Sequence, residues 1–98
     1  MLRLTVRSQT PEEAVLQVDG WVAAEQVLLL AQEGTRLLRT SGRLLLDLKG
    51  VAFIDEAGLA LLQEGWEERV RLRNGSPFIR ELLAQHHLKY EESEEPGC

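Results

Sequence analysis

The chain has 98 residues, of which 44% are hydrophobic and 28% are charged, a composition typical of one globular domain with a single core. Its net charge of −5 falls to −1 for residues 1–90, because residues 91–98 contain four glutamates and no basic residue. This balance argues against a nucleic-acid-binding protein, which needs a basic surface. It predicts one domain over residues 1–90, followed by a disordered acidic tail over residues 91–98.

The sequence does not predict a targeting segment, an internal disulfide or a metal site. Its apolar runs stay below the roughly 20 residues that span a bilayer, and residues 1–10 alternate in polarity instead of forming a signal-peptide core. Cys98 is the single cysteine, and no group of Cys and His residues has the spacing of metal ligands. We therefore expect a cytoplasmic protein without a cofactor and without direct membrane insertion.

Alternating polarity predicts two strands at the start of the chain. Apolar and polar residues alternate over residues 2–7 and again over residues 14–20, which is the two-residue period of strands with one wet face. The segment between them, SQTPEE, is rich in turn-forming residues. The two strands are therefore predicted to pair as an antiparallel hairpin.

Helical periodicity follows the hairpin. Apolar residues recur at steps of three and four from about Ala23 to Arg39, which predicts a first helix. Leu28 and Leu29 are expected to widen its buried face. Gly42 is expected to close the helix in the left-handed conformation, which glycine adopts without steric cost.

The later strands are apolar on one face only. Residues 43–49 and 69–73 place leucine or valine at alternate positions, with charged residues at most of the positions between. Strands in a parallel sheet covered on both faces would instead be continuously apolar. The sequence therefore predicts an α/β fold with a four-stranded mixed sheet and the order β-β-α-β-α-β-α. Its crossovers are expected to be right-handed, with all helices on one face and a polar opposite face.

A second helix is predicted from Glu56 to Glu68, after an N-cap at Asp55. The Asp55 carboxylate is expected to accept a hydrogen bond from the amide of Ala57 or Gly58. The predicted core contacts of this helix are Leu59, Leu62 and Trp66, with a hydrophobic staple between Ile54 and Leu59.

A third helix is predicted after a turn at Asn74 and Gly75. Ser76 suits the N-cap and Pro77 suits the first helical position. The residues expected to be buried from this helix onward are Phe78, Ile79, Leu82, Leu83 and Leu88.

A resemblance to a known family is carried by two segments, GRLLLDLKGVAFIDEAGLALL and, further on, VRLRNGSPFIRELLAQHHL. They resemble the STAS domain, the fold of bacterial anti-sigma-factor antagonists, and the resemblance covers residues 1–88. It implies a signalling role in transcription regulation by partner switching. Such a domain binds a cognate regulator, typically a kinase that also acts as an anti-sigma factor, through the loop and helix start at an Asp-Ser-Ser-Gly or Asp-Thr-Ser-Gly motif. Phosphorylation of the acceptor Ser turns that binding off.

This chain departs from the motif at the phosphoacceptor. Asp55 matches the motif's Asp and Gly58 matches its Gly. Glu56 stands where the motif has its first Ser or Thr, and Ala57 stands where it has the acceptor Ser. Because alanine has no hydroxyl, the resemblance implies a partner surface without the usual switch. Glu56 either leaves that surface permanently competent or imitates part of the phosphorylated state. We favour competence, because glutamate at a helix start is common for its favourable dipole interaction.

The predicted partner-binding residues are Trp21, Asp55, Glu56, Ala57, Gly58 and Leu59. Trp21 follows the second strand, where it is either an interface anchor at the same end of the sheet as Asp55 or buried against the first helix. The sequence leaves both alternatives open.

Three other groups of polar residues are interpreted as structural. Arg69, Arg71 and Arg73 form a row of solvated strand charges, with binding of an acidic partner as the alternative. The pair His86 and His87 is interpreted as surface, because no acids or cysteines converge on it. Asp47 and Asp55 are not a catalytic pair, since no nucleophile, base or metal set accompanies them.

These observations predict a non-enzymatic protein–protein interaction module, either monomeric or a weak dimer. Its expected partner is an anti-sigma factor with kinase activity or another ATPase-containing regulator, and not nucleic acid. The alternative is a STAS accessory subunit that docks onto a membrane transporter ATPase. A nucleotide-binding module is a weaker alternative, because the chain has no Gly-rich loop.

Overall fold

The computed structural model describes residues 1–65 and 69–86, apart from the side chains of residues 64 and 65. Within these residues the chain forms, in order, β1 (Leu2–Gln9), β2 (Glu13–Val22), α1 (Gln26–Leu38), β3 (Arg43–Ile54), α2 (Glu56–Ala60) with a π-helical turn directly after it (Leu61–Gly65), β4 (Val70–Arg73) and α3 (Pro77–Gln85). This succession confirms the predicted order of strands and helices.

The strands form one mixed sheet in the order β1-β2-β3-β4. β1 and β2 pair antiparallel, which confirms the predicted hairpin, whereas β2 with β3 and β3 with β4 pair parallel. Gly20 has a φ of +97° and lies so close to the carbonyl of Met1 that a Cβ would overlap it. Glycine at this position therefore lets the start of β1 lie against the end of β2.

The helices pack on one face of the sheet, as the alternation of the strands predicts. The largest fully buried side chains are Leu16, Val18, Val22, Leu30, Leu37, Leu44, Leu46, Leu48, Ile54, Ile79 and Leu83. Each such leucine or isoleucine contributes about 1.5 to 3 kcal/mol by leaving water. The opposite face is polar and has a hollow lined by residues that include Arg7, Gln17, Asp19, Asp47 and Lys49. We call this surface the open face.

β3 continues beyond residue 49, its predicted end, to Ile54. The predicted end of the third strand is therefore wrong. The strand extends because β2 offers backbone partners over its whole length, through pairs such as Asp19 with Gly50 and Trp21 with Phe53. Two register shifts between β2 and β3 accommodate the added residues.

Leu28 and Leu29 do not widen the buried face of α1, so that prediction was wrong. The two side chains are 64% and 53% exposed. The inward line of the helix is set by Val27, Leu30 and Leu37, which are buried. Since an α-helix turns by about 100° per residue, the two leucines beside this line face outward. They are exposed apolar residues on the outer side of the first turns of α1.

Both ends of α1 differ from the prediction. The helix begins at Gln26 and not near Ala23, because Ala24 takes a left-handed φ of 55° that interrupts the helix. At the other end Gly42 is not left-handed. Its amide instead donates to the carbonyl of Pro11 at 2.8 Å, and the chain proceeds directly into β3.

The third helix starts as predicted and presents a different buried face. The Ser76 hydroxyl accepts a hydrogen bond from the amide of Ile79 at 3.3 Å, and Pro77 is the first helical residue. Phe78 is 57% exposed, so its predicted burial is wrong. Ile79 and Leu83, four residues apart, form the inward face of the helix, and Phe78 lies one residue off that line.

The second helix is α-helical only to Ala60 and continues as the π-helical turn. Its predicted extension to Glu68, including Trp66, lies outside the described residues, as do His87, Leu88 and the acidic tail. The domain boundary at residue 90 stays a prediction. No helix within the described ranges is both long enough and apolar enough to cross a membrane.

Candidate partner-binding site

Asp55 joins two loops at the carboxyl ends of β2 and β3. Its Oδ1 accepts a hydrogen bond from the amide of Gly58 at 2.9 Å, which confirms the predicted N-cap of α2. Its Oδ2 accepts from the amide of Ala24 at 2.8 Å, in the loop between β2 and α1. Its own amide donates to the carbonyl of Val22 at 3.0 Å. One side chain thus fastens the starts of α1 and α2 to each other.

The same hydrogen bonds keep Asp55 ionised. The amide of Gly58 is the largest cause that holds the pKa of this carboxyl below its ordinary value, and the amide of Ala24 is the next. Both donors favour the charged form, because each gives a stronger hydrogen bond to a carboxylate than to a neutral carboxyl group. The carboxylate that holds the two loops is therefore negative at neutral pH.

Gly58 allows α2 to approach the end of β2. A Cβ at this position would lie 2.7 Å from the carbonyl oxygen of Val22 and 2.8 Å from Cγ2 of Ile54, closer than side chains pack. Leu59, the next residue, is 5% exposed and packs in the core with Ile54. Gly58 and Leu59 therefore support the first turn of α2 from beneath and are not part of its exposed surface.

Glu56 and Ala57 form the exposed side of this first turn. Because Asp55 and Gly58 fix the backbone on either side, these two side chains are presented on a rigid element. Position 57 faces solvent with only a methyl group, and position 56 adds a carboxylate in the first turn, where the helix dipole favours it.

Trp21 lies at the same end of the sheet, on the open face. Its neighbour Val22 is buried beneath the helices, and alternation along the strand turns Trp21 to the opposite side. The indole is 56% exposed, which rules out burial against α1. It lies edge-to-face against Phe53, its partner on β3, with 6.4 Å between ring centroids and 71° between ring planes.

Phe53 was missed by reasoning from the sequence. It is 41% exposed beside Trp21, but it lies beyond residue 49, the predicted end of the third strand. The alternation of Phe53 with Ile54, at the end of a strand, was the available signal. Leu28 is a further exposed apolar residue near this end, since α1 begins directly after the loop that Asp55 holds.

The remaining polar candidates lie elsewhere. The Arg69 guanidinium donates to three carbonyls near the end of α1 and the start of β3, those of Leu38, Ser41 and Gly42, at 2.6, 2.9 and 3.1 Å. It is therefore a structural cap. The carbonyl of His86 accepts from Gln63 at 2.8 Å. Across residues 1–65 and 69–86, no three His, Cys, Asp or Glu side chains are grouped as metal ligands.

Asp47 and Asp55 are not brought together. Asp47 lies on the open face in the middle of β3, where it accepts from the amide of Lys49 at 3.0 Å. Asp55 follows the end of the same strand. Eight residues of extended chain separate them by roughly 26 Å.

Comparison with known proteins agrees with this architecture. A family model described as "Mlab, STAS domain" matches residues 5–89. The chain therefore belongs to the STAS domain family, which confirms the resemblance in the sequence. Among solved structures, that of the anti-sigma factor antagonist SpoIIAA in its unphosphorylated form is similar, with a TM-score of 0.75 and 18% sequence identity. The match covers 97% of this chain and 91% of that chain. A comparison with curated protein sequences gives no match.

Proposed function

We propose that this chain is a non-enzymatic, cytoplasmic interaction module that acts as a partner-switching regulator, like an anti-sigma-factor antagonist. The observation that carries the proposal is the first turn of α2, which is held rigid by Asp55 and exposes Glu56 and Ala57. In open α/β sheets, binding surfaces form at the carboxyl ends of strands. Membership of the STAS domain family gives this surface a protein as its expected ligand.

The proposed partner is an anti-sigma factor with kinase activity, or another regulator that contains an ATPase domain. Its contact would include Glu56, Ala57 and Trp21, the exposed members of the predicted set, with Gly58 and Leu59 in a supporting role. No part of the proposal needs nucleic acid, a cofactor or insertion into a membrane. A monomer or weak dimer leaves this surface accessible.

We further propose that this surface is not switched by phosphorylation at position 57. Ala57 has no hydroxyl that could accept a phosphoryl group. Glu56 supplies one negative charge at the helix start, whereas a phosphate would add about −1.5 to −2. The favourable dipole interaction is a sufficient reason for a glutamate there, so the surface is proposed to be permanently competent.

A kinase assay tests the absence of the switch. The chain is incubated with ATP and the ATPase-fold kinase encoded by a neighbouring gene, and the peptide over residues 55–58 is examined for phosphate. The natural chain should remain unlabelled there, while Ala57→Ser should become labelled. Ala60→Ser is the matched control, because Ala60 is also exposed on α2 but lies one turn later. Phosphate on this peptide of the natural chain would refute the proposal.

A binding assay tests the surface itself. Purified neighbouring regulators are tested for complex formation with the natural chain, Ala57→Asp and Ala57→Asn. Since the added carboxylate imitates part of a phosphate, Ala57→Asp should weaken the complex far more than its neutral isostere Ala57→Asn. Glu56→Gln should leave the affinity nearly unchanged. A marked gain on Glu56→Gln would show instead that Glu56 imitates the phosphorylated state.

The second candidate is an accessory subunit that docks onto a membrane transporter ATPase. The observation that favours it is the same methyl group at position 57, since a permanently assembled subunit needs no phosphorylation switch. Reconstitution decides between the two functions. Stable association with a transporter ATPase, disrupted by Ala57→Asp, together with no binding to an anti-sigma factor would favour the accessory subunit.

A further inference from the structure

The open face carries an aromatic pair that the contact at α2 does not explain. Trp21 and Phe53 are 56% and 41% exposed, and their rings lie edge-to-face at 6.4 Å. Their neighbours Val22 and Ile54 are buried at 1% and 2% exposure, so the backbone that carries both rings is fixed in the core. Rigid, exposed aromatic side chains of this kind are typical anchors of protein contacts.

A carboxylate lies beside the pair on the same face. Asp19 lines the hollow of the open face, and Trp21, two residues later on β2 and opposite to the buried Val22, lies on the same face at a distance of roughly 7 Å. The carboxylate of Asp19 accepts hydrogen bonds from Nε2 of Gln17 at 3.1 and 3.2 Å. It lies over Gly50 on β3, where a Cβ would overlap Oδ1 of Asp19. The absence of a side chain at position 50 therefore leaves the room that the carboxylate occupies.

We propose that Trp21, Phe53 and Asp19 together receive an arginine or lysine side chain of the protein partner. The inference rests on the proposed function, because it assigns a second contact to the same partner. The faces of indole and phenyl rings attract cations, and a carboxylate beside them supplies the opposite charge. This combination fits a guanidinium or ammonium group better than an apolar side chain, which would bring no positive charge to the carboxylate of Asp19.

The contact is continuous with the start of α2. Trp21 directly precedes Val22, whose carbonyl accepts from the amide of Asp55 at 3.0 Å. Glu25 and Glu56 are exposed at the starts of α1 and α2. Two exposed carboxylates bordering the same end of the sheet favour a partner surface with basic residues.

Three basic residues of the chain itself lie near Asp19. Arg3 pairs with Asp19 across β1 and β2, Lys49 directly precedes Gly50, and Arg7 lines the same hollow and donates to Oε1 of Gln17 at 2.6 Å. Within the described part of the chain none of the three forms an ion pair with Asp19. Arg3 is the nearer competitor for an incoming cation, because its position is directly opposite Asp19 in the sheet. Its removal is therefore expected to strengthen the binding of an external cation.

Nuclear magnetic resonance titration of the full ¹⁵N-labelled chain tests the proposal without knowledge of the partner. The probes are N-acetyl-arginine amide, N-acetyl-lysine amide and the neutral N-acetyl-norleucine amide. The cationic probes should produce saturable shifts at the Trp21 indole N–H and the Gly50 amide, and the norleucine probe should not. The chain has two tryptophans, and Trp21→Leu identifies the indole signal of Trp21.

Variants then distinguish the cation contact from non-specific binding of the probes. Asp19→Asn keeps an acceptor for Gln17 and should weaken arginine binding about threefold or more, the size expected for loss of one exposed ion pair. Trp21→Leu should abolish the shift at Gly50, and Arg3→Gln should increase affinity. Phe78→Leu, at a similarly exposed aromatic residue of α3, is the matched control and should change nothing. Spectral dispersion verifies that each variant is folded.

Several outcomes would overturn the inference. Equal shifts with norleucine would make the pair an apolar contact, and unchanged affinity in Asp19→Asn would remove the carboxylate from it. The proposed function fails separately from this inference. If a regulator binds in a manner that depends on position 57 and ignores Trp21→Leu, the cation contact is wrong and the proposed function stands. If the probes bind as expected and no regulator binds in a manner that depends on position 57, the cation contact stands and the proposed function is wrong.

Discussion

The two ends of the parallel strands differ in what their loops leave exposed. At the amino ends, Thr10, Ser41, Gly42 and Arg69 form what we call the closed end, where side-chain and backbone hydrogen bonds connect neighbouring loops. At the carboxyl ends, Trp21, Phe53, Asp55 and Ala57 form what we call the site end. A single carboxylate fastens its loops, and two aromatic rings and a methyl group remain exposed.

The closed end is held by hydrogen bonds between its loops. The Ser41 hydroxyl, in a residue that is 3% exposed, donates to the carbonyl of Thr10 at 2.5 Å. Gly42 donates to the carbonyl of Pro11, and Arg69 donates to carbonyls at the end of α1. This end uses its polar side chains for stability. At the site end, the carboxylate of Asp55 supplies the side-chain hydrogen bonds between the loops, and apolar side chains remain exposed. Exposed apolar surface lowers solubility, and it is typical of surfaces that bind a partner.

The largest effect is expected from the residue beneath the site end. Leu59→Ala should destabilise the fold by about 2 to 5 kcal/mol, because it removes a buried side chain and leaves a cavity. Denaturant unfolding measures the loss. Leu28→Ala is the matched control in the outer face of α1, where a surface substitution should change stability by about 0.5 kcal/mol or less. Equal losses in the two variants would contradict the burial of Leu59.

Gly58→Ala and Gly42→Ala compare the two ends directly. A Cβ at position 58 meets the Val22 carbonyl at 2.7 Å, whereas a Cβ at position 42 meets its nearest atom, the Glu12 carbonyl oxygen, at 3.4 Å. Overpacking against backbone should therefore cost about 1 to 3 kcal/mol at position 58. The substitution at position 42 should be nearly neutral. Thermal unfolding of both variants measures the two losses of stability. A larger loss in Gly42→Ala than in Gly58→Ala would contradict the closer packing at position 58.

Ser41→Ala tests whether the closed end depends on its buried hydroxyl. Without its donor the carbonyl of Thr10 loses a hydrogen bond, which should cost about 0.5 to 1.5 kcal/mol, because Thr10 is exposed and its carbonyl can bind water instead. The neighbouring Thr40→Ala removes a hydroxyl that is exposed and should cost less. Denaturant unfolding again measures both. A similar loss in the two variants would mean that the closed end has no special dependence on Ser41.

The sequence was informative where interactions are local. The capping of α2 by Asp55 spans three residues, and the hairpin of β1 and β2 follows from alternation and one turn. The hydrogen bond from Ala24 to Asp55 joins residues 31 positions apart and depends on how β2 and β3 pair, which no local pattern contains. Phe53 was missed for the same reason, since pairing with β2 decides that β3 reaches residue 54. Leu28 was predicted to be buried and is exposed, because hydrophobicity alone does not distinguish a leucine that faces outward from one that faces the core.

The smallest expected effect is the pH dependence of stability that arises from Asp55. It tests the carboxylate that joins the two loops of the site end. Its folded pKa is depressed, so the stability that its ionised form contributes is present above the unfolded pKa of about 3.9. That contribution is lost as pH falls through the lower, folded value. Asp55→Asn can still accept a hydrogen bond at the helix start but does not titrate. Its melting temperature should therefore fall less steeply than that of the natural chain on acidification below about pH 4.

The titration itself can be followed at the two loops that Asp55 joins. The amides of Ala24 and Gly58 each donate to one oxygen of the same carboxylate. Their resonances should therefore shift together, with one midpoint below about 3.9, the ordinary value for an aspartate. If Gly58 shifts with this midpoint and Ala24 does not, Asp55 caps α2 without holding the loop that precedes α1. Such a result would mean that only the pairing of β2 with β3 positions Trp21. The aromatic pair on the open face would then not be coupled through Asp55 to the start of α2.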